Sequence, residues 1–416
     1  YTVQKYRKKD ELKRSYSAVY SLPSQKVTQL ATEELPGFTS TRNGDNRVAL
    51  LSTTKPYGTA SMWEGRVRKD YQLIDIETGE KTPLLEGKYI NLSVSPTGKY
   101  LYGYAELDSS WYCYAIDSKK TYQLSSPETF IAYDEENDVP NYPSSYGMAG
   151  WTENDEQLWI YDRYDIWAFD PENKQEPLRL TRNGRENKLT YRRLRLDNEE
   201  KFIDKDAPQW LFTFDEKSKG NGYYRLDSGK QPQHLLSGNF KLSTPSKAKN
   251  TDQVLFTKET YRDFPEIHYT DLRFKKPQKL TNVGEQQKSF KWGTTELISF
   301  VSLDGDSLEG VIYKPDNFDP NRKYPMIVNF YERNSETLHS YHMPNPGRST
   351  IDYHLYNSHD YIIFNPDVRF KDGYPGESSY NCVMAGIAEV LKRGYVDTKR
   401  IGAQGHSWGG YQVAYL

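Results

Sequence analysis

The sequence predicts an all-β, propeller-like array followed by an α/β layer, and three observations carry that reading. A short hairpin pattern recurs along the first two thirds of the chain. Past about Ser289 it gives way to dense apolar strands alternating with helical periodicity. Near the end, Gly405-His406-Ser407-Trp408-Gly409 sits between a strand-like and a helix-like stretch.

The repeats come first. "YSAVYSLPSQKVTQL" closes at Leu30, "YQLIDIETGEKTPLL" at Leu85, "WYCYAIDSKKTYQL" at Leu124, "YDIWAFDPENKQEPLRLT" at Leu180, "GYYRLDSGKQPQHLL" at Leu235 and "EIHYTDLRFKKPQKLT" at Leu280. Each reads as two strands of alternating apolar residues joined by an Asp or Ser turn with Gly or Lys. Further strand pairs lie upstream of several units, as in "LSVSPTGKYLYGYAEL" from Leu92 to Leu107. Four strands per period of roughly 50 residues is the pattern of a propeller blade. A β-sandwich with irregular loops is the alternative, but it has no reason to repeat one hairpin at this spacing.

The second region is read element by element. "LISFVSLDGDSLEGVIYKP" (Leu297 to Pro315) predicts a hairpin turning at Asp304-Gly305. "YPMIVNFY" (Tyr324 to Tyr331) and "YIIFNPDV" (Tyr361 to Val368) predict apolar strands. "NCVMAGIAEVLKRG" has apolar residues at helical spacing and stops at Gly394. "KRIGAQG" predicts a short buried strand leading into the Ser407 turn. Strands apolar on both faces and alternating with helices predict a mostly parallel sheet. The expected domains are residues 1–288, the propeller, and 289–416, the α/β part.

Composition sets the outer limits. A chain of 416 residues exceeds one ordinary core, so two domains are expected. The 35 tyrosines suit sheets and half-buried surfaces better than helical bundles. A net charge of −2 with mixed signs gives no footprint for nucleic acid and no polybasic membrane signal. No apolar run reaches the length of a membrane span. Cys113 and Cys382 lie far apart in sequence and indicate no disulfide framework. Position 1 is Tyr, with neither an initiator Met nor a signal-peptide pattern.

Gly405-x-Ser407-x-Gly409 has the spacing of a nucleophile elbow. A strand that turns sharply into a helix forces the central residue into strained backbone geometry, and side chains at the flanking positions collide. The turn lifts the Ser407 hydroxyl off the sheet edge. It also sets it at a helix N-terminus, whose N–H groups face a developing oxyanion. Gly410 adds a third small residue for close helix packing.

"RGYVDTKRIGAQGHSWGGYQVAYL" resembles the catalytic region of the prolyl oligopeptidase family of serine peptidases, most nearly its dipeptidyl-peptidase and acylaminoacyl-peptidase branches. "KYPMIVNFYE" and "YIIFNPDVRFKDGYPGE" resemble two further stretches of that family's α/β-hydrolase domain, in the same order. The resemblance implies an N-terminal propeller, a hydrolase domain and acyl transfer on short peptides. Ser407 would be the nucleophile. The backbone N–H of Trp408 and the hydroxyl of Tyr331 would form the oxyanion hole. Where the family places small residues and a proline after that tyrosine, this chain has Glu332-Arg333-Asn334.

In this fold the triad runs Ser, acid, His. Neither acid nor histidine follows Ser407 here, so the expectation is a fragment lacking both, nearly inactive by itself. Dipeptidyl-type relatives hold a substrate's free amine with propeller glutamates. Glu135 and Glu136, in the acidic run "YDEEND", are the candidates for that role, against a plain solvated loop, and Glu332 is a third substrate-binding candidate.

Other polar residues carry blander readings. His339 and His342 have the spacing of a metal pair, but no acid cluster accompanies them, so no metal and no cofactor are expected. His406 reads as part of the elbow, not as a base. Asp367 and Arg369 read as an ion pair bracing a loop. The resulting function is a propeller-gated exopeptidase or oligopeptidase. An esterase on the same fold and a non-catalytic propeller binding protein are the alternatives. A short peptide is the expected partner, with a homodimer for the complete protein, and a secreted or periplasmic location is favoured over a cytoplasmic one.

Overall fold

The computed structural model describes residues 2–41, 45–345 and 351–416, and of Val3 and Gln4 the backbone alone. Strands dominate and helices are few. All six repeated hairpins named above are present. The first (Ala18–Ser21 with Lys26–Gln29) pairs alone, and each of the others forms the last two strands of a larger antiparallel sheet.

Three four-stranded sheets follow the first hairpin. Their strands are Gly37–Thr39, Val48–Thr53, Lys69–Asp75 and Lys81–Lys88; then Ser93–Val94, Tyr100–Ala105, Ser110–Ala115 and Lys120–Gln123; then Met148–Trp151, Leu158–Tyr161, Ile166–Phe169 and Leu178–Arg179. A fourth sheet joins Leu189–Arg193, Gln209–Asp215, Asn221–Leu226 and Gln233–Gly238. A fifth joins Gln253–Glu259, Glu266–Asp271 and Gln278–Lys279, its outer strand split into Lys241–Leu242 and Ser246–Lys247.

The chain groups into two compact units, residues 1–135, 142–180 and 199–206 in the first and 136–141, 181–198 and 207–416 in the second. In the first, apolar clusters span successive sheets. Leu50 and Tyr71 join Val94 and Leu101. Trp111 and Cys113 join Trp151, Leu158, Ile160 and Phe169. Trp151 also takes the ring of Tyr100 in a stack at 5.7 Å and that of Tyr102 edge-on at 5.2 Å. In the second, Tyr223 of the fourth sheet packs with Val254, Phe256 and Phe274 of the fifth. Alternating side chains thus bury one sheet face against the next, which is how a chain of short strands gains a continuous core.

The second unit also holds the C-terminal layer, labelled here from its first strand: β1 (Thr294–Val301), β2 (Ser307–Lys314), β3 (Tyr324–Asn329), α1 (Tyr353–Ser358), β4 (Ile362–Pro366), α2 (Pro375–Leu391), β5 (Val396–Gln404) and α3 (Trp408–Tyr415). The sheet order is β1-β2-β4-β3-β5. β3 runs parallel to β4 and β5, whereas β1–β2 and β2–β4 are antiparallel. The sheet is therefore mixed, not mostly parallel. The turn at Asp304-Gly305 makes β1 and β2 antiparallel, and the long-range pairing of β2 with β4 is antiparallel as well.

β4 is buried along its whole length, as a central strand covered on both faces must be. β5 differs from expectation. It is nine residues long and half-buried or exposed over most of its length, because β3 is its sole strand neighbour among the described residues. Helix α2 begins six residues before its apolar run, at Pro375, since proline's fixed φ suits the first helical position. It ends before Gly394, whose φ of +83° lets the chain reverse toward β5. No described helix is long and apolar enough to cross a membrane.

Phe364 of β4, with no exposed surface, centres this layer's core with Ile312, Met326, Val328 and Val383. Gly386 of α2 leaves room for its ring, because a methyl there would meet the ring at 3.0 Å. Phe364→Ala is expected to destabilise the C-terminal layer by about 3–5 kcal/mol. A denaturant-midpoint shift equivalent to less than about 1 kcal/mol would show that this core is not packed as described.

Candidate active site

Pairing of β3 with β5 brings two strand ends side by side. Val328 faces Ala403 and Asn329 faces Gln404 in parallel register. Continuing past those residues, β3 leads to Phe330 and Tyr331, and β5 leads to Gly405, His406 and Ser407. Ser407 has φ +54° and ψ −117°, a strained conformation for a residue with a side chain. Both flanking glycines are sterically required. A methyl on Gly405 would collide with the backbone of Gly409, and one on Gly409 would lie 2.7 Å from the Phe330 carbonyl oxygen.

The turn leaves Ser407 and His406 exposed. Helix α3 starts at Trp408, whose first-turn N–H has no intrahelical acceptor. The Trp408 ring packs on Phe370 at 5.8 Å and stacks on Tyr411 at 4.9 Å, so the helix start is held by apolar contact. Tyr331 is 42% exposed. Ser407, His406 and Tyr331 line one cavity of about 730 Å³ with Asn329, Asn334, His342 and Asn365.

The segment after Tyr331 is pinned from two sides. Asp367, buried just beyond β4, accepts the backbone N–H groups of Asn334 (2.6 Å) and Ser335 (2.8 Å) on one oxygen. Burial pushes the Asp367 carboxyl above its usual range, and these bonds and Lys219 oppose the shift. Arg333 donates to the Glu136 carboxylate (2.8 Å) and to the Glu136 carbonyl (2.7 Å), with Asp138 at 3.8 Å. Asp138 in turn accepts the N–H of Phe370 at 3.1 Å. The exposed Glu332 uses its carbonyl to accept the N–H of Val368 at 3.0 Å.

The candidate carboxylates therefore have different surroundings. Glu136 lies in the second compact unit, against Arg333. Glu135 is half-buried in the first, and its backbone N–H donates to the Tyr146 hydroxyl at 2.8 Å. The expected Asp367–Arg369 pair does not form. Asp367 turns inward to the backbone N–H groups, and Arg369, exposed, reaches Asp306 at 3.8 Å.

A polar chain under the cavity was not anticipated. The Tyr353 hydroxyl donates to Asn329 (2.8 Å) and accepts from Asn365 (3.0 Å), and Asn329 donates to the Gln404 side chain (2.7 Å). Part of its signal is in the sequence: Asn329 and Asn365 are polar residues near the ends of two otherwise apolar strands, and Gln404 closes β5.

The paired-looking histidines do separate things. His339 bonds the Ser218 carbonyl at 2.8 Å. His342 sits among the rings of Tyr261, Tyr313 and Tyr353. His354 packs on Trp292 with ring centroids 3.8 Å apart. Among the described residues no three His, Cys, Asp or Glu side chains gather as metal ligands.

Burial, with smaller contributions from His354 and Lys241, pushes His342 down to about 4 from an ordinary value of 6.5. The unfolded chain then binds this proton first, so the stability present above pH 6.5 is lost as pH falls toward about 4. His342→Gln is expected to flatten the fall in thermal midpoint over that window. An unchanged slope in the variant would remove His342 as its source.

No family model matches the chain. It is similar to curated fungal proteins described as probable dipeptidyl-aminopeptidase B. The one from Penicillium rubens is 30% identical over 134 residues, 29% of this chain and 14% of that protein. One from Ajellomyces capsulatus is 27% identical over 139 residues, again 29% and 14%. Among solved structures it is similar in fold to Porphyromonas gingivalis dipeptidyl peptidase 4, with a TM-score of 0.65 at 13% identity over 96% of this chain and 62% of that one. A putative dipeptidyl aminopeptidase IV from Bacteroides ovatus gives 0.60 at 14% identity, over 95% and 66%. A structure described in a study of two prolyl endopeptidases gives 0.57 at 13%, over 95% and 58%. The chain thus spans less than two thirds of the first of these solved chains and a small part of each fungal relative.

Proposed function

We propose, for a chain that belongs to the prolyl oligopeptidase family of serine peptidases, that Ser407 is the nucleophile of an acyl-transfer site acting on short peptides. The observation that carries this reading is the strained Ser407 backbone between two glycines that admit no side chain, opening onto the same cavity as Tyr331. Such strain persists where the surrounding structure enforces it, and here it holds a hydroxyl clear of the sheet.

In the proposed mechanism Ser407 attacks the scissile carbonyl. The developing oxyanion accepts hydrogen bonds from the Trp408 backbone N–H and the Tyr331 hydroxyl. Both donors are neutral: one is a backbone N–H at a helix start, the other a phenol two residues past a strand end. Among the described residues no histidine or carboxylate hydrogen-bonds to Ser407. The proton of Ser407 passes to a general base oriented by an acid, neither of them identified among the described residues. Residues 1–288 are proposed as the propeller and 289–416 as the first part of the α/β-hydrolase domain. Glu135 remains a proposed anchor for a substrate's free amine, while Glu136 serves that role only if it also keeps Arg333. Glu332, exposed beside Tyr331, is proposed as a contact at the rim.

The complete protein is expected to take a fluorophosphonate label at Ser407 and to lose both label and turnover in Ser407→Ala. Tyr331→Phe should lower kcat on X-Pro or X-Ala dipeptide amides about 10²–10³-fold with little change in KM. Absence of labelling would remove the nucleophile. Rapid ester hydrolysis without amide cleavage would replace the peptidase by an esterase. For the amine anchor, Glu135→Gln should raise KM for substrates with a free amino end and spare N-blocked ones; an equal effect on both ends that assignment.

A further inference from the structure

Gln412 lies in the second turn of α3, five residues after Ser407, and has no exposed surface. A buried primary amide is costly unless its groups are bonded, and an apolar side chain would fill the same volume without that cost. Its bonds are specific. Nε2 donates to the carbonyl oxygen of Tyr331 at 2.7 Å. Oε1 faces the Ser379 hydroxyl at 3.1 Å, and that hydroxyl also reaches the Pro375 carbonyl at 2.8 Å. Ser379 is itself fully buried on α2. One side chain therefore ties the helix that begins at the nucleophile to the residue proposed to donate to the oxyanion, and braces that tie against a second helix.

We propose that Gln412 is a positioning residue that sets the Tyr331 hydroxyl relative to Ser407. This rests on the reading of Tyr331 as an oxyanion donor. Tyr331 lies past the end of β3, so the strand ladder no longer fixes its peptide plane. The long side chain acts as a lever: a backbone tilt of about 10° moves the hydroxyl by about 1 Å, enough to cost roughly 10²-fold in rate. The second contact near this peptide, Gly409 beneath the Phe330 carbonyl and the Tyr331 ring, limits approach but not tilt. The Gln412 bond supplies the missing restraint, and it comes from the same helix whose N-terminus carries the other proposed donor.

The test is a double-mutant cycle on the complete protein with a dipeptide amide substrate. Gln412→Met keeps length and packing but removes the donor. It is expected to lower kcat about 10–100-fold with KM within about twofold, and to cost less than about threefold when Tyr331 is already Phe. Ser379→Ala, which leaves Gln412 in place with one bond fewer, should give a smaller kcat loss with the same dependence on Tyr331. It carries the test if Gln412→Met does not fold. Overturning results are a kcat within about threefold of the parent, or a loss that multiplies in full with that of Tyr331→Phe. If Tyr331→Phe alone leaves kcat unchanged, the oxyanion reading falls first and this one with it; if it lowers kcat and the Gln412 loss multiplies, only the positioning role falls.

Discussion

The parallel ladder between β3 and β5 is the constraint from which the rest of the site follows. Backbone hydrogen bonds fix the register Val328–Ala403 and Asn329–Gln404, and a slip by one residue would turn every side chain on either strand to the other face. With that register set, one strand delivers Tyr331 and the other delivers Ser407 to a common edge. The elbow then needs close approach. Gly409 sits where any side chain would strike the Phe330 carbonyl, so the turn after β5 and the end of β3 are packed against each other as backbone. Helix α3 inherits its position from this contact.

Charge organises the segment beyond Tyr331, where no ladder reaches. Asp367 emerges from β4 beside β3 and captures two consecutive N–H groups, so a buried carboxylate replaces the strand partner the backbone has lost. Two such bonds counter part of the desolvation of a group with little access to water. Arg333 acts at longer range. Its fork takes both the side chain and the carbonyl of Glu136, which fixes the acidic segment's backbone as well as its charge. The Glu332-Arg333-Asn334 segment thus has a physical account: the arginine is a tether, and Glu136 is its acceptor.

How much of this was legible in the sequence depended on the kind of signal. Hairpins were readable because a turn and alternating strands are local, and all six lie where the pattern put them. The Gly-x-Ser-x-Gly turn was readable because its steric logic fits within five residues. The mixed direction of the C-terminal sheet was less so, since β2 pairs with β4 across about 50 residues of intervening chain and no local cue records that choice. The partners of Asp367 and Arg333 were not readable at all. Two residues apart, Asp367 and Arg369 looked like an ion pair, yet one is buried against the loop it caps and the other is exposed. Burial, a property of the assembled chain, decided between them.

Gln412 illustrates why the last part of a site is the hardest to read. In the string "GYQVAYL" it is an ordinary polar residue on a short helix, and helical periodicity alone does not say which side meets the core. In the fold that helix is pressed between α2 and the end of β3, so a glutamine there has no water and must bond to what surrounds it. What surrounds it is the carbonyl of Tyr331 and the hydroxyl of Ser379. The same helix start that leaves the Trp408 N–H unpaired also brings Gln412 to Tyr331 little more than one turn later. One short rigid element therefore couples both proposed oxyanion donors to the nucleophile, so any motion of α3 relative to β3 changes the three together.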